Sequence, residues 1–325
     1  MKILFVVSGN SSQFEITPFI KRQADSIVKN GHEIDYFKII GKGTIGYLGN
    51  IQGLKKKINS CNYDLIHAHY SFNGLLSLLT GTKVPIIVSY MGSDVYGDYN
   101  KQGKLLFSSL VNITISIIIQ PFVNAIIVKS QNLTKKIFRN KYIFLIPNGI
   151  DLSIFKENNR KEARSYLGLK DDEKVVLFMG DKYNQRKNFN LIKDAIEYLP
   201  QKPILLTPYP VSPDKTNIYY NAADLLALTS FNEGSPNVIK EAMACNCPIV
   251  ATEVGDIQWL FGNEPGHYIT SFDSEDVAEK IANAFQFRYK YGRTNGRERL
   301  INLGLDSDTI AMKIIGVYKD VVKKV

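Results

Sequence analysis

The sequence predicts an α/β protein with two domains, each built on a parallel sheet that helices cover on both faces. The chain has 325 residues, which is the length of two domains of ordinary size. Near-continuous apolar runs of strand length alternate with helical segments, a pattern typical of parallel sheets buried on both faces. The alternation begins again after Phe155, which indicates the second domain.

Each half of the chain has its own predicted series of strands. In the first half they are expected at residues 2–8, 32–40, 64–69, 85–90, 124–128 and 142–146. In the second half they are expected at residues 174–179, 204–207, 225–228, 248–251 and 267–269. Such domains are Rossmann-like, and ligands bind beyond the carboxyl ends of their strands, so the loops at those ends carry the candidate site.

The basic residues are unevenly distributed. The chain carries 40 Lys and Arg against 31 Asp and Glu, a formal charge of +9. Residues 1–155 hold 17 basic and 8 acidic side chains, whereas the remainder holds 23 of each. A basic face attracts an anionic membrane, a nucleic acid or a phosphorylated substrate, and improved solubility is the alternative explanation.

Cysteine content and apolar segments bear on the compartment. Cys61, Cys245 and Cys247 form neither a disulfide framework nor a zinc motif, so we expect reduced, buried thiols in a cytosolic protein. The N-terminal apolar run is too short for a signal peptide. The longest apolar stretch, residues 105–119, is shorter than the roughly 20 residues of a spanning helix. It is predicted to be a buried helix, with a helix lying on a membrane surface as the alternative.

Residues 230–241 contain the main candidate site. A strand at residues 225–228 is followed by a helix from about Pro236, with Ser235 as the expected N-cap. The backbone around Gly234 and Ser235 would then offer a helix N-terminus to a diphosphate. Glu233 and Glu241 would reach different parts of one bound nucleotide. From the spacing alone, a capped helix with two surface glutamates is the slightly better explanation.

The run Glu233-Gly-Ser-Pro-Asn-Val-Ile-Lys-Glu241 resembles the Glu-x7-Glu signature of the retaining glycosyltransferases of family 4. Further similarities follow in order along the chain, at residues 31–34, 67–70, 88–94, 147–151, 220–224 and 248–256. The resemblance implies the GT-B fold, in which two Rossmann-like parallel-sheet domains face a cleft. It implies an acceptor domain over residues 1–155, a nucleotide-sugar domain over residues 156–305, and a helix of residues 306–325 that packs back on the first domain.

The same resemblance implies roles for residues of the second half. Glu233 would hold hydroxyls of the transferred sugar, and Glu241 the ribose. The distal phosphate and sugar would contact the stretch formed by Gly234, Ser235, Pro236 and Asn237.

A basic loop at residues 180–188 is the second candidate element. Cations aimed at the leaving diphosphate would stabilise the transition state, and a solvated loop is the alternative. Lys187 matches a lysine of the family just before the next helix. Asp181 stands where the family commonly has arginine, so Lys182 or Arg186 is expected to supply that charge.

In the first half, Gly9 and Asn10 follow the first strand and resemble a loop that approaches the diphosphate or the acceptor, with a plain turn as an equal alternative. Met91 occupies a position where many relatives have a histidine that contacts the donor sugar. Asp94 is a candidate for positioning the acceptor or acting as its base, and an N-cap is at least as good an explanation. In retaining enzymes of this fold the leaving phosphate is often thought to take the acceptor proton.

The predicted function is retaining transfer of a sugar from a nucleotide diphosphate sugar to a glycan or lipid-linked acceptor, in bacterial surface-polysaccharide synthesis. A UDP-sugar is favoured, with a GDP-sugar as second choice, and neither a cofactor, a metal nor a nucleic acid is expected. We expect a cytoplasmic protein at the anionic inner face of the cell membrane. An impaired sugar-nucleotide-binding protein or a GT-B epimerase is the alternative. A dinucleotide-dependent oxidoreductase is disfavoured because residues 8–13 lack Gly-x-Gly-x-x-Gly.

Overall fold

The computed structural model describes residues 1–11, 13–100 and 102–324, except for the side chains of residues 213 and 214. Ser12, in the predicted first turn, lies outside these residues. The chain divides into two compact units. The first comprises Met1–Asp98, Leu105–Gly149 and Ser307–Val325, and the second comprises Tyr99–Lys104 and Ile150–Asp306.

The first unit contains a parallel sheet whose strands are ordered β2-β1-β3-β4-β5-β6. Continuous apolar runs such as Ile-Leu-Phe-Val-Val in β1 are completely buried, as expected for strands covered on both faces. The strands are β1 (Lys2–Ser8), β2 (Glu33–Ile39), β3 (Leu65–His69), β4 (Ile86–Tyr90), β5 (Ala125–Val128) and β6 (Ile143–Leu145).

Helices of the first unit follow the strands, and the last helix of the chain joins them. They are α1 (Pro18–Lys29), α2 (Gly43–Leu48), α3 (Ile51–Asn59), α4 (Ser71–Leu79), α5 (Ser93–Tyr96), α6 (Leu110–Ile118), α7 (Gln131–Thr134) and α15 (Ser307–Val322). The helix α15 packs against α1. Its Tyr318 hydroxyl lies 2.6 Å from Nδ1 of His67 on β3, whose Nε2 lies 2.8 Å from the Ser89 hydroxyl.

The second unit contains a parallel sheet with the order β11-β10-β9-β7-β8. Its strands are β7 (Val175–Leu177), β8 (Ile204–Leu206), β9 (Leu225–Leu228), β10 (Ile249–Thr252) and β11 (His267–Thr270). Its helices are α8 (Arg160–Tyr166), α9 (Phe189–Glu197), α10 (Pro213–Ala222), α11 (Asn237–Ala244), α12 (Ile257–Phe261), α13 (Ser274–Tyr291) and α14 (Gly296–Asn302).

The predicted fold class is confirmed, since each unit is a Rossmann-like parallel sheet with helices. The strand order reverses between β1 and β3 in one sheet and between β7 and β9 in the other. Ligands of open parallel sheets bind beyond the carboxyl ends of the strands at such reversals. The loops after β7 and β9 are therefore the place to examine in the second unit, and those after β1 and β3 in the first.

Two details differ from the sequence-based expectation. The chain passes between units at Gly149 and Ile150, before the predicted boundary at Phe155, and Ile150 forms a parallel bridge with Asp306 in the second unit. The prediction of a buried helix at residues 105–119 is right for one side of the segment and wrong for the other. Ile119 is 1% exposed and belongs to the core, and Ile115 packs against that core, whereas Ile118 is 55% exposed. None of the described helices combines the length and apolar character needed to cross a membrane.

Candidate active site

The loops after β7 and β9 lie against each other at the carboxyl edge of the second sheet. The first loop contains a single 3-10 turn, residues Gln185–Lys187, and the Asn184 side chain accepts a hydrogen bond from the Arg186 amide. The Phe231 amide donates to the Arg186 carbonyl at 2.9 Å, and the Thr229 hydroxyl donates to the Asn188 carbonyl at 3.0 Å. These bonds fix the position of the two consecutive cations, Arg186 and Lys187.

The Glu233 carboxylate accepts from both cations. One oxygen lies 2.7 Å from the Lys187 ammonium, and the other lies 2.7 Å from the Arg186 guanidinium. The Ser230 hydroxyl donates to the first oxygen at 2.8 Å. Burial alone would raise the pKa of Glu233, but the charges of Lys187 and Arg186 outweigh it and lower that pKa to about 2. The carboxylate is therefore ionised at neutral pH.

This cluster has a net positive charge, because two cations share one carboxylate. The side chains of Arg186 and Lys187 are 18% and 19% exposed, so both cations are largely shielded from water yet still accessible. Positive charge held in place by the protein interacts with an anionic ligand more strongly than solvated surface charge does. The structure thus brings together three of the predicted site residues, Glu233, Lys187 and Arg186.

The backbone of residues 233–234 packs closely against Gly255. Gly255 adopts φ +63°, and a Cβ atom there would lie 2.5 Å from the Gly234 carbonyl oxygen. The Thr252 hydroxyl at the end of β10 donates to the Ser230 carbonyl at 2.8 Å. The end of β10 and the turn after it therefore support the loop that presents Glu233.

The expected cap of α11 is wrong. The helix begins at Asn237, one residue later than predicted, and Pro236 occupies the N-cap position, where its side chain makes no capping bond. The Ser235 hydroxyl instead donates to Asp256 at 2.6 Å and accepts from the Lys240 ammonium at 2.9 Å. Burial raises the pKa of Asp256, and Lys240 opposes this effect.

Asp256 and Lys240 are residues whose contribution the sequence reasoning did not identify. Both lie in the matched stretches, but nothing in their spacing showed that they meet at Ser235. Together they place Gly234, Ser235 and Pro236 in buried positions next to Glu233. The side chain of Asn237 is half-buried at the first turn of α11.

Glu241 faces a different neighbour. This residue of α11 is 8% exposed and accepts a hydrogen bond from the Tyr220 hydroxyl at 2.9 Å. Burial and the adjacent Glu241 raise the pKa of Tyr220, so its hydroxyl stays protonated and donates. Tyr220 is thus a further residue that the sequence reasoning did not single out, although it lies in the matched stretch at residues 220–224.

Asp181 and Lys182 are exposed at the start of the basic loop. The Asp181 carboxylate accepts from the Tyr183 amide at 2.9 Å, and the Lys182 ammonium lies over the Tyr183 ring at 5.4 Å. The arrangement of the described side chains therefore favours Arg186 over Lys182 as the second cation beside Lys187.

In the first unit, a cavity of about 330 Å³ lies at the reversal of strand order. Its lining includes residues that carry hydroxyl groups, among them Ser8, Thr17, Tyr47, Tyr70 and Ser93. Among the described lining residues there is no lysine, arginine or histidine, and Asp94 is the one acidic residue. This polar composition suits hydrogen bonding to an uncharged ligand.

Asp94 joins two loops at this cavity. One carboxylate oxygen accepts from the amides of Met91 and Gly92, and the other accepts from the Ser71 amide, each at 3.0 Å. Ser71 is the first residue of α4, so Asp94, which lies inside α5 and is not its N-cap residue, accepts from the N-terminal amide of the neighbouring helix α4. Burial raises its pKa to about 6, against the effect of these hydrogen bonds.

Gly9 and Asn10 make contacts within the first unit. A Cβ atom on Gly9 would lie 2.9 Å from Cβ of Lys38, so glycine is required for the close approach to β2. The Asn10 side chain accepts from the Gly41 amide at 2.8 Å. Among the described residues, no three His, Cys, Asp or Glu side chains converge into a group that would hold a metal ion.

Comparison with known protein families agrees with this geometry. Residues 5–130 match the family model described as glycosyl transferase 4-like, and residues 169–286 match that described as glycosyl transferases group 1. Each half of the chain is therefore similar to a glycosyltransferase family. The second match contains the basic loop and residues 233–241, and the first contains the loops that line the cavity.

Two curated bacterial proteins are similar to this chain. The protein named as the teichuronic acid biosynthesis glycosyltransferase TuaC of Bacillus subtilis (strain 168) is 30% identical over 244 residues, covering 67% of this chain and 60% of the relative. A D-inositol 3-phosphate glycosyltransferase of Mycobacterium leprae (strain Br4923) is 30% identical over 164 residues, covering 38% of each chain. The chain therefore spans less than two thirds of the length of these relatives.

Solved structures show the same GT-B fold. Sucrose-phosphate synthase from Thermosynechococcus elongatus has a TM-score of 0.84 at 18% identity, with complete coverage of both chains. The HepE protein of Anabaena, solved with UDP-glucose, has a TM-score of 0.77 at 17% identity, covering 98% of this chain and 100% of that one.

Proposed function

We propose that this chain is a retaining glycosyltransferase that moves a sugar from a nucleotide diphosphate sugar to a glycan or lipid-linked acceptor. The observation that carries the proposal is the convergence of Arg186 and Lys187 on Glu233, each at 2.7 Å, at the reversal of strand order in the second sheet. Phosphate groups require fixed positive charge, and sugar hydroxyls require strong acceptors. This cluster supplies both within one site.

In the proposed reaction, the bond between the anomeric carbon and the distal phosphate oxygen breaks. The electron pair stays on the leaving diphosphate, whose negative charge grows toward the transition state. Arg186 and Lys187 stabilise that charge where it develops, which lowers the barrier more than it strengthens ground-state binding. Because the chain provides these two cations, the proposed transfer needs no metal ion.

The two glutamates divide the donor between them. Glu233, ionised and next to the phosphate-binding cations, accepts from hydroxyls of the transferred sugar. Glu241 lies on the second turn of α11, where the Tyr220 hydroxyl orients its carboxylate by a 2.9 Å bond. We assign Glu241 to the ribose hydroxyls. Gly234, Ser235 and Pro236 lie next to Glu233 in the chain and approach the distal phosphate.

The donor is proposed to be a UDP-sugar, with a GDP-sugar as the second choice. Retention follows from attack by the acceptor on the same face that the diphosphate leaves, with the departing phosphate oxygen taking the acceptor proton. The hydrogen bonds of Asp94 support the phosphate oxygen, and not this carboxylate, as the proton acceptor, because three backbone amides already donate to its two carboxylate oxygens. Its role is then to hold the loops at residues 70–71 and 91–92.

The acceptor is proposed to present an uncharged sugar or polyol to the cavity of the first unit. The cavity offers hydroxyl and amide groups and no cation among its described lining residues, so a phosphorylated acceptor group lacks a partner there. The similarity to TuaC supports a role in synthesis of a bacterial surface polysaccharide. The basic excess in residues 1–155 supports work at the inner face of the cell membrane.

Ligand-induced stabilisation tests the proposal directly. The melting temperature is measured with UDP, GDP, UDP-sugars, GDP-sugars and NAD, and product anomers are identified by NMR when a transfer acceptor is found. A rise with a nucleoside diphosphate that disappears in Lys187→Ala and Glu241→Ala supports the proposal. Stabilisation by NAD alone would contradict it. Conversion of a UDP-sugar to its epimer would identify an epimerase instead, and binding without slow donor hydrolysis would indicate a non-catalytic protein.

A further inference from the structure

The outward face of α6 and the turns at both its ends carries large apolar side chains. Phe107 is 86% exposed, Val111 47%, Ile118 55% and Phe122 67%, and Leu110 and Ile117 are each more than 40% exposed. Phe107 is three and four residues from Leu110 and Val111, and Ile118 is four residues from Phe122, spacings that place side chains on one side of a helix. The exposed apolar side chains thus form a stripe along one side of the segment, interrupted at the exposed Thr114, and not scattered single residues.

The inward face of the same segment is buried in the unit and carries both apolar and polar side chains. Ile119 is 1% exposed and belongs to the core, and Ile115 packs against that core. Ser109 is 3% exposed and accepts from the Asp98 amide, and Ser116 is 2% exposed. The Ser116 carbonyl accepts from the buried Tyr90 hydroxyl, by which α6 is held to the unit. A helix at a water-exposed surface turns its apolar side inward and a polar side outward. The segment around α6 instead carries large apolar side chains on both sides, so its outer face is more apolar than that of an ordinary surface helix.

A second segment extends this face. The Phe138 amide donates to the Gln120 side chain at 2.7 Å, and the Arg139 guanidinium donates to the Val123 carbonyl at 2.7 Å. These bonds hold residues 135–141 beside the C-terminal end of α6. Phe138 is 69% exposed there, in the same segment as the exposed Lys135, Lys136 and Lys141. We call residues 107–122 and 135–141 together the α6 surface.

The charge on this part of the chain has one sign. Between residues 105 and 149 there are five lysines and arginines and no aspartate or glutamate. A second copy of the same surface would bring like charges together when the apolar stripes met. An anionic bilayer offers negative headgroups to the lysines and hydrocarbon to the apolar stripe.

We propose that the α6 surface docks on an anionic lipid bilayer, with Phe107, Ile118, Phe122 and Phe138 entering the headgroup and acyl boundary. The lysines at residues 135, 136 and 141 would lie at headgroup level. The inference names a specific lipid contact and does not depend on the proposed sugar transfer, because the candidate donor site lies in the other unit.

Vesicle flotation of the full chain tests this proposal. Vesicles of phosphatidylcholine are compared with vesicles that also contain phosphatidylglycerol. The variant Phe107→Ser/Ile118→Ser/Phe122→Ser is expected to bind the anionic vesicles with a partition coefficient at least about tenfold lower than that of the wild type. The variant Lys135→Glu/Lys136→Glu/Lys141→Glu is expected to lose the preference for phosphatidylglycerol, and added salt should weaken wild-type binding.

The matched control is Ile45→Ser/Tyr166→Ser/Tyr289→Ser, which removes three side chains that are 87%, 64% and 96% exposed elsewhere. This control should bind vesicles like the wild type. Equal binding by the wild type and the Phe107 variant would overturn the proposal. The proposal would also be overturned if the wild type bound no vesicles and formed a dimer by light scattering that the Phe107 variant did not form. Stabilisation by UDP is measured in each variant and should be unchanged, which separates this result from a failure of the proposed function.

Discussion

The Lys187 ammonium and the Glu233 carboxylate form a 2.7 Å ion pair, and the Arg186 guanidinium occupies the other carboxylate oxygen at the same distance. One buried carboxylate thus positions two cations that come from a different loop. Their spacing is set before an anionic ligand arrives, and preorganised charge of this kind is the largest contribution to many enzymatic rate enhancements.

Lys187→Met is expected to lower sugar transfer by about a hundredfold or more, since removal of one such donor costs on the order of 3 kcal/mol. The effect should fall mainly on kcat, because the charge that Lys187 stabilises grows only in the transition state. Initial rates over a range of donor concentrations provide the measurement. Lys182→Met is the matched control, because that exposed lysine in the same loop lies over Tyr183. Equal losses in the two variants would contradict the assigned role.

Glu233→Gln is expected to separate nucleotide binding from sugar transfer. The neutral amide no longer competes with phosphate oxygens for Arg186 and Lys187, so affinity for free UDP should stay the same or increase. Transfer should fall, because an amide is a weaker acceptor for the sugar hydroxyls. Calorimetric titration with UDP and initial rates with the UDP-sugar measure the two effects. Weaker UDP binding by this variant would show that Glu233 serves the nucleotide and not the sugar.

The lowered pKa of Glu233 predicts that part of the free energy of unfolding depends on pH in the acid range. Its pKa is about 2 in the folded chain, against an ordinary value of 4.5. A carboxyl whose pKa is lowered by folding contributes stability that is complete above the unfolded value and declines as pH falls from 4.5 toward 2. The contribution is on the order of 3 kcal/mol. Urea unfolding of wild type and Glu233→Gln should therefore give stability curves that converge as pH falls through this range. A constant difference between pH 7 and pH 3 would argue against the ion pairs.

The sheet strands were predictable because buried parallel strands are continuous apolar runs. The observed β1 and β9 have the predicted bounds, Lys2–Ser8 and Leu225–Leu228. Composition gave no such guidance for α6, because a buried helix and a helix on an apolar surface have the same apolar content. What distinguishes them is whether both sides of the segment are covered, and here Ile119 belongs to the core while the adjacent Ile118 is 55% exposed.

The location of the candidate site was predictable from the sequence, but its side-chain contacts were not. Parallel sheets bring the ends of neighbouring strands to one edge, so the sequence located the Lys187 and Glu233 loops there. The choice of Arg186 over Lys182 depends on the turn fixed by Asn184, where side-chain direction cannot be read from spacing. The engagement of Ser235 by Asp256 depends on a contact between residues on two different loops, and local capping preferences favoured another arrangement.

Gly255→Ala is expected to displace the loop that presents Glu233. The glycine has φ +63°, and an added Cβ would lie 2.5 Å from the Gly234 carbonyl oxygen and 3.0 Å from that of Glu233. Backbone atoms cannot swing aside as a flexible side chain does, so the loop that presents Glu233 must move. We expect a loss of stability well above the roughly 1 kcal/mol that a left-handed alanine costs by itself, together with weaker stabilisation by UDP.

Gly168→Ala separates those two contributions. Gly168 lies in the same unit with φ +69°, and nothing stands within 4 Å of the position its Cβ would take. This variant should show only the backbone penalty and bind UDP like the wild type. Chemical denaturation and UDP-induced shifts in melting temperature, measured on both variants, give the comparison. A steric clash with residues 233–234 must add to the backbone penalty that both alanine variants share. If Gly255→Ala and Gly168→Ala lose the same stability and both keep UDP binding, the turn at Gly255 does not support the Glu233 loop.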